Sequence, residues 1–86
     1  MEVRVFYTGL LQLEMGKYEE SFTLEEGAGL EDLLSVLGAK GADFSGYFAV
    51  VEHPGQRASS VPLEQAKETV LEPDSRITFV YRFAGG

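Results

Sequence analysis

Leu30, Leu33, Leu34 and Leu37 fall at i, i+3, i+4 and i+7, which is one apolar stripe along a short helix. It is the single clear long stripe in a chain of 86 residues, so strands must supply the surface that it covers. A chain of this length buries only about 60% of its unfolded surface, enough for one domain and one small core. Glu31 and Asp32 sit in the first turn of the stripe, where the helix dipole favours negative charge. Gly38 is positioned to supply a left-handed stop, with residues 39–45 as a loop.

The strands are read from alternation. Residues 2–8 set Val3, Val5 and Tyr7 against Glu2 and Arg4, with Phe6 on the opposite face and partly exposed. Residues 9–16 read as a connection, and 17–24 as a returning antiparallel strand with Tyr18, Phe22 and Leu24 on one side. Residues 47–52 form a strongly apolar third strand, turned by His53-Pro54-Gly55, and residues 56–60 are polar. Residues 61–70 are ambiguous: Pro62 is placed to open a short helical turn with Leu63, Ala66 and Val70 facing in. Glu72-Pro73-Asp74-Ser75 has the composition of a type I turn. The last strand covers residues 76–83, with Ile77, Phe79, Tyr81 and Phe83 alternating against Thr78, Val80 and Arg82.

Strand, strand, helix, strand, weak element, strand is the order of an α+β, ubiquitin-like β-grasp. A mixed sheet of four to five strands carries one main helix on one face, and the first and last strands lie side by side and parallel. The expected domain is 1–83, followed by a flexible Ala84-Gly85-Gly86 tail.

Composition excludes several chemistries. The chain has no cysteine, so no thiol nucleophile, thiolate zinc site or disulfide framework. Its one histidine, His53, excludes a two-histidine metal motif and reads as a surface turn residue. Gly27-Ala28-Gly29 opens a helix but is flanked by Glu25, Glu26, Glu31 and Asp32, which repel phosphate, so turn-and-cap is the better reading. The acidic pairs follow no metal-loop spacing, and no metal site is expected. Seven Lys+Arg against 14 Asp+Glu give a net charge of −7, and the basic residues are scattered singly. Nucleic acid and anionic membrane are therefore not expected partners; the negative charge reads first as keeping the chain soluble, with steering onto a basic protein surface as the other reading. No apolar run approaches the roughly 20 residues of a membrane span. The N-terminal residues lack a signal-peptide pattern, so a cytoplasmic location is expected.

The terminal Gly85-Gly86 pair follows directly on an apolar strand, where two residues of high backbone entropy serve no packing purpose. A fraying end is one reading. The other is a thin tail able to thread a channel that any Cβ would block, carrying a carboxylate that is ionised at neutral pH. Such a carboxylate attacks the α-phosphorus of ATP and becomes an acyl-adenylate, open to a sulfur or amine nucleophile.

With Val3-Arg4-Val5-Phe6-Tyr7, Glu26-Gly27-Ala28-Gly29-Leu30-Glu31-Asp32-Leu33-Leu34 and Phe83-Ala84-Gly85-Gly86, the whole chain resembles the MoaD/ThiS family of ubiquitin-like sulfur-carrier proteins. The resemblance implies that Gly86 is adenylated and converted to a thiocarboxylate, with Gly85 giving access. It also implies that Val80, Arg82, Phe83 and Ala84 meet the partners; Phe6, outward by alternation, would join Val80 and Phe83 in an apolar patch of the kind a partner covers. Those partners are an adenylating enzyme resembling ubiquitin's, which brings the ATP and Mg²⁺, and the large subunit of a sulfur-accepting synthase. The chain itself is then a protein co-substrate, not an enzyme, and binds no cofactor. The small subunit of molybdopterin synthase is the first expectation. A thiamin-type carrier and a ubiquitin-like modifier conjugated through Gly86 stand as alternatives.

Overall fold

The computed structural model describes residues 1–82. Five strands form one mixed sheet: β1 (Glu2–Tyr7), β2 (Glu19–Thr23), β3 (Tyr47–Glu52), β4 (Ser59–Pro62) and β5 (Arg76–Tyr81), in the order β2-β1-β5-β3-β4. β1 and β5 are parallel, and the other neighbours are antiparallel. This is the expected β-grasp arrangement, with β5 at the centre.

Helix α1 spans Gly9–Met15, α2 spans Leu30–Ala39, and a 3₁₀ helix spans Leu63–Glu68. The α2 stripe works as read: Leu30, Leu33 and Leu37 are fully buried against Val3, Val5, Ala49, Ile77 and Phe79. Alternation in β1, β3 and β5 points those side chains to one face of the sheet, and both helices lie over that face.

The start of α2 is fixed by backbone contact. Leu30 N–H donates to Thr69 O at 2.8 Å, and Leu71 N–H donates to Ala28 O at 3.0 Å. A Cβ on Gly29 would sit 2.9 Å from Thr69 O, so only glycine allows this approach. Asp32 closes the first turn by accepting the Gly29 N–H at 2.8 Å. The Gly27-Ala28-Gly29 stretch is thus a packing joint, and its helix-opening Leu30 N–H is already used.

Several local readings change. Residues 9–16 are a helix and not a plain connection: Leu11 is buried, and Gly16 closes α1 in the left-handed region. β2 starts at Glu19 and leaves Tyr18 exposed. Gly38 lies within α2, and the left-handed backbone comes later, at Gly41. Ser59 and Ser60, read only as polar, belong to edge strand β4. Val70 does not face in; it is exposed, because the 3₁₀ helix ends at Glu68 and Val70 pairs with Gly29 as an isolated bridge. Asp74 has φ +65, so the 72–75 turn has the left-handed third residue of type II, not type I. Its buried Ser75 donates its hydroxyl to Glu72 O at 2.6 Å, satisfying the one fully buried polar side chain among the described residues. β5 stops at Tyr81, and Phe83, Ala84, Gly85 and Gly86 lie outside the described residues.

Candidate functional site

The helices cover one face of the sheet. The other face carries every second residue of β1, β5 and β3, and much of it is apolar. Phe6 pairs with Thr78, which pairs with Val50; Val80 pairs with Phe48, which pairs with Pro62. These two adjacent rows are partly buried although no helix among the described residues covers them, because the side chains shield one another across the strands. Phe6 and Val80, expected to face outward, share this open face. Arg82 lies just past the end of β5 and is exposed.

β3 reads Tyr47-Phe48-Ala49-Val50-Val51-Glu52, apolar toward both faces. Tyr47, Ala49 and Val51 enter the core, while Phe48 and Val50 join the open face. Sequence reasoning missed Phe48 and Val50 as site residues. The signal was present: an unbroken apolar strand is one whose two faces are both meant to be covered.

At one rim of the open face, Arg4 and Arg76 are direct neighbours across β1 and β5. The Arg76 guanidinium carbon lies 4.9 Å from the Phe6 ring centre and that of Arg4 lies 5.8 Å away. Arg4 also pairs with Glu19. The basic residues are therefore not all isolated: strand register gathers two of them that the sequence keeps far apart.

The end of β5 leads out between two surfaces. Val80 turns to the open face and Tyr81 to the α1 side. Arg82 N–H donates to Gly46 O at 2.6 Å, tying the departing chain to the residue before β3. The Tyr81 ring stands edge-on to Tyr47 at 5.2 Å. The Tyr47 hydroxyl donates to Thr8 O at 3.2 Å and accepts the Leu11 N–H at 3.0 Å, which anchors α1 to the same corner. Gly9, Leu10, Tyr47 and Tyr81 line an apolar cleft of about 230 Å³. Leu10 and Leu13 are 70% and 77% exposed, and Tyr81 is 47% exposed. None of these three was expected at the site. With residues 9–16 taken as a connection, nothing assigned Leu10 and Leu13 to a surface, and alternation put Tyr81 inside.

His53, expected at the surface, is only 21% exposed in its side chain, with Nδ1 3.5 Å from the Glu72 carboxylate. Its Nε2 is buried with no hydrogen-bond partner among the described residues. The described residues contain no group of three or more metal-binding side chains. They also contain no helix long and apolar enough to cross a membrane.

No family model and no curated protein matches this chain. Solved structures do. A candidate molybdopterin converting factor, subunit 1, from Pyrococcus furiosus superposes with a TM-score of 0.70 at 19% identity, over 96% of this chain and 99% of that one. SAMP1 from Haloferax volcanii superposes with a TM-score of 0.66 at 16% identity, over the full length of both chains. At these identities the likeness speaks to architecture: the described residues have the ubiquitin-like β-grasp fold of these two small proteins.

Proposed function

We propose that this chain is a sulfur-carrier protein of molybdopterin biosynthesis, the small partner of a synthase large subunit. One observation carries the reading: the central strand of a β-grasp body runs, past an apolar open face, into the sequence Phe83-Ala84-Gly85-Gly86. An adenylating enzyme supplies ATP and Mg²⁺. A Gly86 carboxylate oxygen attacks the α-phosphorus, and pyrophosphate leaves. A sulfide-level nucleophile then displaces AMP from the carbonyl and leaves a thiocarboxylate. The thioacid is ionised at neutral pH, as a sulfur nucleophile must be. Gly85 keeps the approach to that carbonyl free of side chains. Phe6, Val80 and Arg82, with Phe83 and Ala84, form the contact surface for the partners.

Intact mass tests it. The full chain is incubated with the adenylating enzyme of the same organism, MgATP and a sulfide donor. A gain equal to the difference between sulfur and oxygen, lost on deletion of Gly86, supports a carrier. The same activated Gly86 joined to lysine amines of other proteins supports the ubiquitin-like modifier instead. No change of mass, with wild type and the Gly86 deletion alike in cells, sinks both. A carrier that restores thiamin synthesis but not molybdopterin synthesis assigns it to the other pathway.

A further inference from the structure

We infer that the Arg76 guanidinium, held over Phe6 on the open sheet face, is a receptor for one aspartate or glutamate side chain of the protein that covers this face. The inference rests on the docking role proposed above for that face.

The geometry uses one part of the guanidinium and leaves another free. The guanidinium carbon lies over the ring at 4.9 Å from the centroid, a contact made through the charge and not through an N–H hydrogen bond. The N–H donors lie around the edge, in the plane, where a carboxylate binds through two parallel hydrogen bonds. Arg4, next to it, has already spent its charge on Glu19. Arg76 makes no ion pair among the described residues, although Glu52 is its cross-strand neighbour and Asp74 lies two residues before it. The ring thus orients a long side chain before any partner arrives, which reduces the entropy lost on binding.

Charge selects the occupant. The chain carries −7, which repels polyanions such as nucleic acid and also a second copy of itself. A single carboxylate set in an otherwise apolar partner surface meets the cation while Phe6, Val50, Phe48 and Val80 meet the apolar remainder. Covering that row removes water from around Arg76 and strengthens the pair.

Calorimetric titration of the full-length chain into the synthase large subunit of the same organism tests the inference. R76E is expected to weaken binding about tenfold or more. R57E changes net charge equally at a residue that lies beside Val51, Val61 and Glu68 toward the helix side of the sheet, and is expected to stay within about twofold of wild type. R76K, which keeps the charge and loses the flat fork, should fall between. An acidic-to-arginine change on the large subunit should restore R76E. Thermal melts accompany each variant; if R76E is unstable, R76Q and F6L take its place. Binding of R76E equal to that of R57E overturns the carboxylate receptor alone. A wild-type chain that fails to bind the large subunit overturns the docking reading beneath it as well. A wild-type dimer dissolved by R76E, or binding to homopolymeric RNA lost in R76E, overturns the inference in favour of those occupants.

Discussion

The Tyr81 ring lies so close over Gly46 that a methyl group on Gly46 would fall 2.7 Å from Tyr81 Cε1. Gly46 also has φ +82 and accepts the Arg82 N–H. Alanine there collides with the ring and strains the backbone, so G46A should lose about 1–3 kcal/mol in urea unfolding. Removing the ring relieves the collision but not the strain. In a double-mutant cycle, G46A should therefore be less damaging on a Y81A background. Strictly additive effects would show that the ring does not constrain Gly46.

Within α1, neighbouring leucines have opposite environments. Leu11 is fully buried, whereas Leu13 is 77% exposed. L11A should cost about 2–5 kcal/mol, and L13A should stay within roughly 0.5 kcal/mol. Chemical denaturation of both variants checks this. A comparable loss in L13A would mean that α1 packs with its other side inward.

Val80 should separate docking from folding. It is partly buried on the open face, opposite Phe48, and outside the core cluster. V80D should change stability by roughly 1 kcal/mol yet weaken partner binding about tenfold or more. Unfolding and titration on the same preparation give both readouts. Unchanged affinity would place the docking surface elsewhere.

Tyr7 links β1 to β2 by donating its hydroxyl to Glu20 Oε1 at 3.0 Å, and Lys17 and Lys40 approach the same carboxylate at 3.5 and 3.8 Å. Burial first, and then Glu20, holds the Tyr7 phenol well above its ordinary value of 10.0. The unfolded phenol ionises first as pH rises past 10, so the folded state binds more protons there and stability falls. Below pH 10 the contribution is fully present. The stability gap between wild type and Y7F should thus be constant from neutral pH to about 9 and shrink above 10. A gap independent of alkaline pH would remove Tyr7 from the linkage.

Periodicity made the centre of the fold legible. Leu30, Leu33 and Leu37 announce α2, and Val3/Val5, Ile77/Phe79 announce β1 and β5, because each set is buried on one side only. Failures came where that coupling breaks. α1 buries Leu11 but exposes Leu10 and Leu13, so its leucines form no inward stripe. β4 is an edge strand that begins with two exposed serines and is held by pairing to β3 alone. Phe6 and Val80 could be placed outward by parity. The meeting of Arg4 with Arg76 could not, because it depends on the register of two strands at opposite ends of the chain.

The position of β5 has a consequence for synthesis. It is the last described element made by the ribosome, yet both halves of the sheet hydrogen-bond to it. β1 with β2 and β3 with β4 are separate hairpin-like pieces until β5 is inserted between them. A nascent chain stalled before Arg76 therefore has no route to a closed core, and such non-local closure is intrinsically slow.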